Sequence, residues 1–148
     1  MKNVAIAAVL CWATTAPLAF AQQVKPENQI KLRKSAYALM NHNFGSLAAM
    51  AEGKKPYNKE EAARNADMIA MLSDVPKGFF GEGTDKGETK AKPEIWQKRA
   101  DFDAKMDKMI TEAKKLPQAA RTDLAAVNKA VGDVGDACKA CHDDYRAK

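Results

Sequence analysis

Apolar residues recur every three or four positions along most of this 148-residue chain, and this period limits the fold more than any other feature. Side chains at those spacings share one face of an α-helix. No run alternates apolar and polar residues with the period of two that a half-buried β-strand shows, and Ala, Leu, Lys and Met dominate over β-branched residues. We therefore expect an all-α protein.

Four segments carry this helical pattern. The first opens at Lys25-Pro26-Glu27 and ends before Gly53, and the second opens at Asn58, a favourable N-cap residue. The third runs from Pro93 to a stop at Pro117, and the fourth follows almost at once. The expected inward-facing residues are Ile30, Arg33, Tyr37, Met40, Phe44, Leu47, Ala51, Ala62, Ala66, Ile69, Leu72, Ile95, Phe102, Met106, Met109, Ala113, Leu116, Ala120, Leu124, Val127, Val131, Val134, Cys138, Cys141 and Tyr145.

A long connection over residues 73–92 separates the second and third segments, whereas the other connections are short. Isolated helices of this length are marginal in water, so their apolar faces must bury one another. Short connections favour antiparallel neighbours, and we expect an antiparallel up-down four-helix bundle. A connection as long as residues 73–92 usually has a function of its own.

Residues 1–21 have the pattern of a secretory signal peptide. Lys2 is followed by an apolar stretch that ends at Ala19-Phe20-Ala21, a small-residue cleavage pattern. We expect cleavage after Ala21, which leaves residues 22–148 as one domain, with no second membrane segment and no Cys11. The pattern predicts export to the periplasm.

The motif that carries the chemistry is Cys138-Lys139-Ala140-Cys141-His142, a C-x-x-C-H sequence typical of covalent c-type haem attachment. On a helix the two thiols lie on one face, so both can reach the vinyl groups of a single porphyrin. The imidazole of His142 then meets the iron as an axial ligand. We predict one haem c per chain, with Cys138 and Cys141 as attachment sites.

Other readings of the motif are a disulfide redox pair, half of a zinc site and a chance match. A redox pair of the thioredoxin type lies at the start of a helix that follows a strand, and these cysteines lie near the end of a helix. A structural zinc ion needs four ligands, and the chain after residue 21 offers only one further imidazole, His42, and no further thiol.

The ligand on the other side of the iron must come from elsewhere, because only six residues follow His142. His42 lies off the inward stripe and is expected to face solvent. Methionines at helical spacing are more often core residues than ligands. The methionines that remain as candidates are Met40, Met50, Met68, Met71, Met106 and Met109.

The charge pattern argues against nucleic-acid binding. The full chain has a formal net charge of +5, and its basic residues are interleaved with acidic ones, as on solvated helix faces.

The mature chain resembles the cytochrome c′ family, the class II c-type cytochromes. The resemblance is carried by Lys25-Pro26-Glu27, Arg33, Tyr37, Phe80-Gly81, Gly83-Thr84, Pro93-Glu94-Ile95-Trp96, Gly132-Asp133-Val134-Gly135 and Cys138 to Arg146. It implies a four-helix bundle that encloses a five-coordinate haem and binds small gases such as nitric oxide and carbon monoxide, with electron transfer as a further role. It also implies a homodimer. The sequence offers no acid–base pair that can be placed beside the distal face, so we expect a haem-binding and electron-transfer protein rather than a dedicated enzyme. The sequence does not identify its periplasmic redox partners.

The resemblance also suggests roles for individual residues. Tyr37 matches the distal pocket residue that faces the open iron position, and Arg33 matches a partner of a haem propionate. Arg146 would flank the proximal face, unless it only stabilises a helix C-terminus. Phe80 and Trp96 would pack around the haem edge. The alternative function is a one-electron carrier with a six-coordinate, low-spin haem.

Overall fold

The computed structural model describes residues 24–148, and the regular structure in this range is helical apart from one isolated bridge between Ala91 and Arg146. The elements are α1 (Pro26–Ala51), α2 (Lys59–Leu72), a 3₁₀ helix (Val75–Phe79), α3 (Glu94–Gln97), α4 (Arg99–Ala113), α5 (Leu116–Thr122) and α6 (Leu124–Tyr145). The four longer helices form an antiparallel four-helix bundle, which confirms the predicted fold class. The signal peptide predicted at residues 1–21 lies outside the described residues.

Two helix starts follow from local hydrogen bonds. The Asn58 side chain accepts a hydrogen bond from Glu61 N at 2.9 Å, so the predicted N-cap of α2 is confirmed. Asp123 does the same for α6, accepting from Ala126 N at 2.8 Å. Each cap satisfies a backbone N–H that has no partner inside its own helix.

The third and fourth predicted helices are each divided in two. The third breaks at Lys98, whose N–H still bonds to Glu94 O, and it ends at Ala113. Pro117 does not stop it: this residue lies in the first turn of α5, where a missing N–H costs no hydrogen bond. The fourth breaks at Asp123, whose extended backbone (φ −159°, ψ 176°) allows its side chain to cap α6.

The core lies where the predicted inward faces meet. Leu47, Ala62, Ala66 and Ala113 are fully buried, and the side chains that join the long helices are nearly so. Tyr37 and Phe44 on α1 are only half-buried, because this stretch of the helix borders a cavity. Among the side chains with almost no exposed surface, the largest apolar ones are Phe102, Leu47, Met50, Ile69, Ile95, Leu116 and Val127.

The first part of the long connection predicted over residues 73–92 forms the 3₁₀ helix (Val75–Phe79). The segment after it, residues 80–93, is named the crossover and is fixed at both of its ends. Gln29 of α1 accepts a hydrogen bond from Gly81 N at 3.2 Å, and a Cβ at Gly81 would lie 2.8 Å from the same oxygen. At the other end, Lys92 N donates to Tyr145 O at 3.0 Å and Ala147 N donates to Lys90 O at 2.8 Å. The crossover therefore ties α1 to the C-terminal segment.

Candidate haem-binding site

A cavity of about 620 Å³ lies between α1, α4, α6 and the crossover. This volume is within the range of roughly 300–1,000 Å³ that is usual for small-molecule and cofactor sites. Most of the lining surface is apolar. The lining includes Arg33, Tyr37, Met40, Phe44, Ile69, Phe80, Thr89, Ala91, Ile95, Phe102, Met106, Met109, Cys138, Cys141, His142, Tyr145 and Arg146.

The α6 wall of the cavity presents the complete C-x-x-C-H motif. Cys138 and Cys141 are half-buried free thiols that lie three residues apart on the last turns of the helix. Burial raises the pKa of both thiols, that of Cys141 to about 11, with a further contribution from Cys138. Both thiols are therefore protonated at pH 7. Both residues line the cavity.

His142 also borders the cavity and is exposed on its other side. Partial burial of the ring lowers the pKa of His142, and the positive charge of Arg146 lowers it further. The imidazole is therefore neutral at pH 7, which is the form that binds a metal ion. The motif thus offers two thiols and one neutral imidazole to the same space.

The other readings of the motif gain no support. In residues 24–148, no group of three or more His, Cys, Asp or Glu side chains is placed to hold a metal ion. His42 is exposed and does not line the cavity, as expected from its position off the stripe.

Tyr37 lies on the α1 wall, and its hydroxyl donates a hydrogen bond to Met106 Sδ at 3.4 Å. Desolvation raises the pKa of Tyr37 well above its usual value, and the nearby Cys141 and Cys138 add to this effect. The phenol is therefore neutral at any physiological pH. A neutral phenol is a poor ligand for iron, and the ring of Tyr37 fills space on the α1 wall of the cavity.

The six candidate methionines fall into two groups. Met40, Met106 and Met109 are buried and line the cavity. Met50 is buried away from it, and Met68 and Met71 are 40% and 69% exposed. Of these six methionines, only Met40, Met106 and Met109 lie close enough to contact a cofactor in the cavity.

Arg33 is 2% exposed and binds the crossover through its guanidinium group. One terminal nitrogen donates to Phe79 O at 3.0 Å and to Thr84 Oγ1 at 2.9 Å, and the other donates to Thr84 O and Thr89 Oγ1, both at 2.7 Å. The guanidinium carbon lies 4.5 Å from the centre of the Phe80 ring, a cation–π contact. No local pattern indicated these partners, because they are 46 to 56 residues away along the chain.

Phe80 and Trp96 differ in their relation to the cavity. Phe80 is buried, lines the cavity and packs edge-on against Phe102, with ring centroids 4.8 Å apart. Trp96 does not line the cavity. Its indole N–H donates to Phe80 O at 3.2 Å and to Gly81 O at 3.1 Å, so it holds the crossover from behind.

Arg146 is exposed at the rim of the cavity, beside His142. Its backbone N–H donates to His142 O at 3.1 Å and closes the last turn of α6, and the residue pairs with Ala91 of the crossover. Its position therefore agrees with either predicted role, next to the proximal face or at the helix end.

Residues 88–91 of the crossover are the part of the site that the sequence pattern did not reveal. Glu88, Thr89, Lys90 and Ala91 line it, although their segment has no apolar period. The only signal was the length of the connection. Met106 was predicted as a core residue, and its contact with Tyr37 was not foreseen.

The chemistry of this cavity fits a haem. Its apolar walls suit the macrocycle, and two thiols and an imidazole stand on one wall. Arg33 is a buried cation at its edge, and within residues 24–148 its bonds are to neutral oxygens, with no carboxylate partner. A buried charge is stable when an opposite charge lies near, and the propionates of a haem would supply one.

A family model, related sequences and solved structures were compared with this chain, and all three indicate one family. The model of the family described as Cytochrome C' matches residues 28–146. Cytochrome c' of Rubrivivax gelatinosus is 44% identical over 126 residues, which cover 84% of this chain and 98% of that protein. Its solved structure has a TM-score of 0.81 and covers 85% of this chain and 100% of its own.

Other solved structures agree. Cytochrome c prime of Shewanella frigidimarina is 38% identical, has a TM-score of 0.82 and covers 85% of this chain and 99% of its own. A nitric oxide complex of a mutant cytochrome c prime from Alcaligenes xylosoxidans is 40% identical, has a TM-score of 0.78 and covers 86% and 99% of the two chains. The chain described here belongs to the cytochrome c′ family.

Proposed function

We propose that this protein binds small gases such as nitric oxide and carbon monoxide at a five-coordinate haem c, as a binding protein rather than an enzyme. The family carries covalently attached haem c, and this chain has the cysteines for it. Cys138 and Cys141 would hold the haem through thioethers, and His142 would bind its iron. When bound, the iron supplies an open coordination position for a gas.

One observation carries this proposal: at Tyr37, the residue that matches the distal position, the α1 wall of the cavity presents no strong iron ligand. Tyr37 is a neutral phenol there. Its hydroxyl bonds to the sulfur of Met106 and holds that thioether on the α4 side. The apolar neighbours Met40 and Phe44 exclude water and favour small neutral molecules over anions.

Carbon monoxide titration of the ferrous protein tests the proposal. We expect a saturable change in the visible spectrum, whereas azide added to the ferric protein leaves its spectrum unchanged. An absence of any response to carbon monoxide would overturn the assignment as a gas-binding protein.

The alternative function is one-electron transfer through a six-coordinate, low-spin haem. Met40, Met106 and Met109 favour it, since all three line the cavity and a thioether is a common iron ligand in c-type cytochromes. An electron carrier gains from two strong ligands, which limit structural change between oxidation states. A spectrum insensitive to carbon monoxide would support this alternative.

We also infer export to the periplasm, after cleavage of residues 1–21, and assembly into a homodimer. In the part of the chain that the structure describes, no helix is long and apolar enough to cross a bilayer. Large apolar side chains on α1 and α2 are exposed: Leu32 by 44%, Leu39 by 52%, Met68 by 40% and Met71 by 69%. These exposed side chains favour a dimer interface through α1 and α2. Sedimentation of the mature protein would test this.

A further inference from the structure

The crossover brings one hydroxyl to the cavity in a fixed orientation. Thr89 is one of the crossover residues that Arg33 of α1 holds, and it lies two residues before the backbone bridge between Ala91 and Arg146. It lines the cavity, and its side chain is half-buried. No apolar period or known motif singled it out in the sequence.

The hydrogen bonds of Thr89 leave its donor available. Its Oγ1 accepts from Arg33 Nη2 at 2.7 Å and from Ala91 N at 3.0 Å. A hydroxyl has two lone pairs and one O–H, so both lone pairs are engaged. Among residues 24–148 this O–H donates no hydrogen bond. The two incoming donors also restrict its rotation.

The terminal nitrogens of Arg33, in contrast, have no donor left over. Its four terminal N–H groups are bonded to oxygens of residues 79, 84 and 89, so they hold the crossover. Its positive charge still lies directly behind the hydroxyl of Thr89. Arg33 therefore acts on the cavity through its charge and through the orientation of Thr89.

The charges around this part of the cavity favour an anion. The side chains on its lining that bear charge are Arg33 and Lys34 of α1, Glu88 and Lys90 of the crossover, and Arg146 after α6. Four are cations and one is a carboxylate. The titratable side chains that complete the lining are Tyr37, which is neutral, together with Cys138, Cys141, His142 and Tyr145.

We propose that Thr89 donates a hydrogen bond to a carboxylate of the haem, and that Arg33 is the positioning residue that orients it. The inference rests on the proposed attachment of haem in this cavity. The proposal assigns a carboxylate-binding role to the crossover. Arg33 contributes through its positive charge and, indirectly, through the orientation of Thr89. The hydrogen bonds from Arg33 to the crossover are then needed to bind the haem carboxylate as well as to stabilise the fold.

The test is the pH dependence of the reduction potential of the holoprotein, in which we expect an inflection where a haem carboxylate titrates. A hydrogen bond to the ionised form keeps the pKa of a carboxyl low, so its loss raises that pKa. In Thr89→Val we expect the inflection to move upward by about one to two pH units, the size expected from one lost hydrogen bond to a charged group. Thr89→Ser restores the hydroxyl and should restore the wild-type inflection.

Two further variants separate this role from a structural one. Thr111→Val, on an exposed position of α4 outside the cavity, should leave the inflection in place. Thr84→Val removes an acceptor of Arg33 that is 0% exposed and does not line the cavity. It should lower stability and shift the inflection less than Thr89→Val does. An equal shift in Thr84→Val would overturn the proposal, because loosening of the crossover would then explain the effect.

Infrared spectra of protein whose haem carboxylates carry ¹³C give a second readout. The carboxylate stretching band should move in Thr89→Val and return in Thr89→Ser. An unmoved band and an unmoved inflection, in protein whose haem is covalently bound, would refute the role of Thr89 and leave the proposed function intact. Loss of colour from the wild-type polypeptide in acidified acetone would instead refute the proposed function.

Discussion

Truncation of Tyr37 to alanine should speed the binding of carbon monoxide to the ferrous protein. The ring occupies the α1 wall of the cavity, and its hydroxyl donates to Met106 Sδ at 3.4 Å. A gas that needs this space has to displace the ring and break that hydrogen bond. A neutral hydrogen bond contributes about 0.5–1.5 kcal/mol, which corresponds to an association rate about 2- to 13-fold higher in Tyr37→Ala.

The same substitution also removes packing, and a control variant separates the two effects. Truncation of a large aromatic side chain in a core costs about 3–5 kcal/mol, and a half-buried ring should fall at the lower end. Tyr57 is half-buried as well, and its hydroxyl donates to Ala120 O at 3.4 Å, but it does not line the cavity. Tyr57→Ala should therefore lose stability without a change in carbon monoxide kinetics.

Stopped-flow measurements on the wild type and both variants check the argument. Faster association in Tyr37→Ala alone would support a gate formed by its ring. Equal association rates in all three proteins would refute the reasoning, and Tyr37 would then be a packing residue only.

Two further predictions concern the cofactor and acid stability. The double variant Cys138→Ala, Cys141→Ala should lose covalent haem. Because an apolar cavity is then left open, it should also lose much of its helicity, which far-ultraviolet circular dichroism measures. Full helicity with an unchanged melting temperature would contradict this prediction. Salt bridges of 2.6 Å from two lysines, together with the accompanying hydrogen bonds, lower the pKa of the Glu112 carboxyl from 4.5 to about 2. Glu112 therefore stabilises the fold above about pH 4.5, and this contribution is lost as the pH falls towards 2. The stability gap between wild type and Glu112→Gln, measured by urea unfolding, should narrow from pH 6 to pH 3, and a constant gap would refute the assignment.

Local patterns were sufficient to predict the helices and the motif. The stripe that contains Val127, Val134 and Cys138 predicted both a buried helix face and the direction of the thiols. Asn58 marked a helix start because its cap is formed with a residue only three positions away. These features depend on neighbours in the sequence, so the sequence reveals them.

The features that were missed depend on distant partners. The break at Lys98 follows a single helical turn, Glu94–Gln97. The apolar period continues across the break, so it does not distinguish this short helix from the start of a longer one. Pro117 was interpreted as a helix stop, although proline is equally compatible with a helix start, and the structure places it there. Arg33 stood out as a charge on an apolar stripe, but its partners in the crossover could only be identified once the chain was folded.

The visible absorption spectrum of the reduced protein, recorded without added ligand, tests the central claim most directly. A five-coordinate haem bound by His142 alone predicts one broad band in the region where low-spin haems show two. Split, sharp bands would mean that a second ligand, such as Met40 or Met106, occupies the iron. That result would contradict the gas-binding account and support the electron carrier.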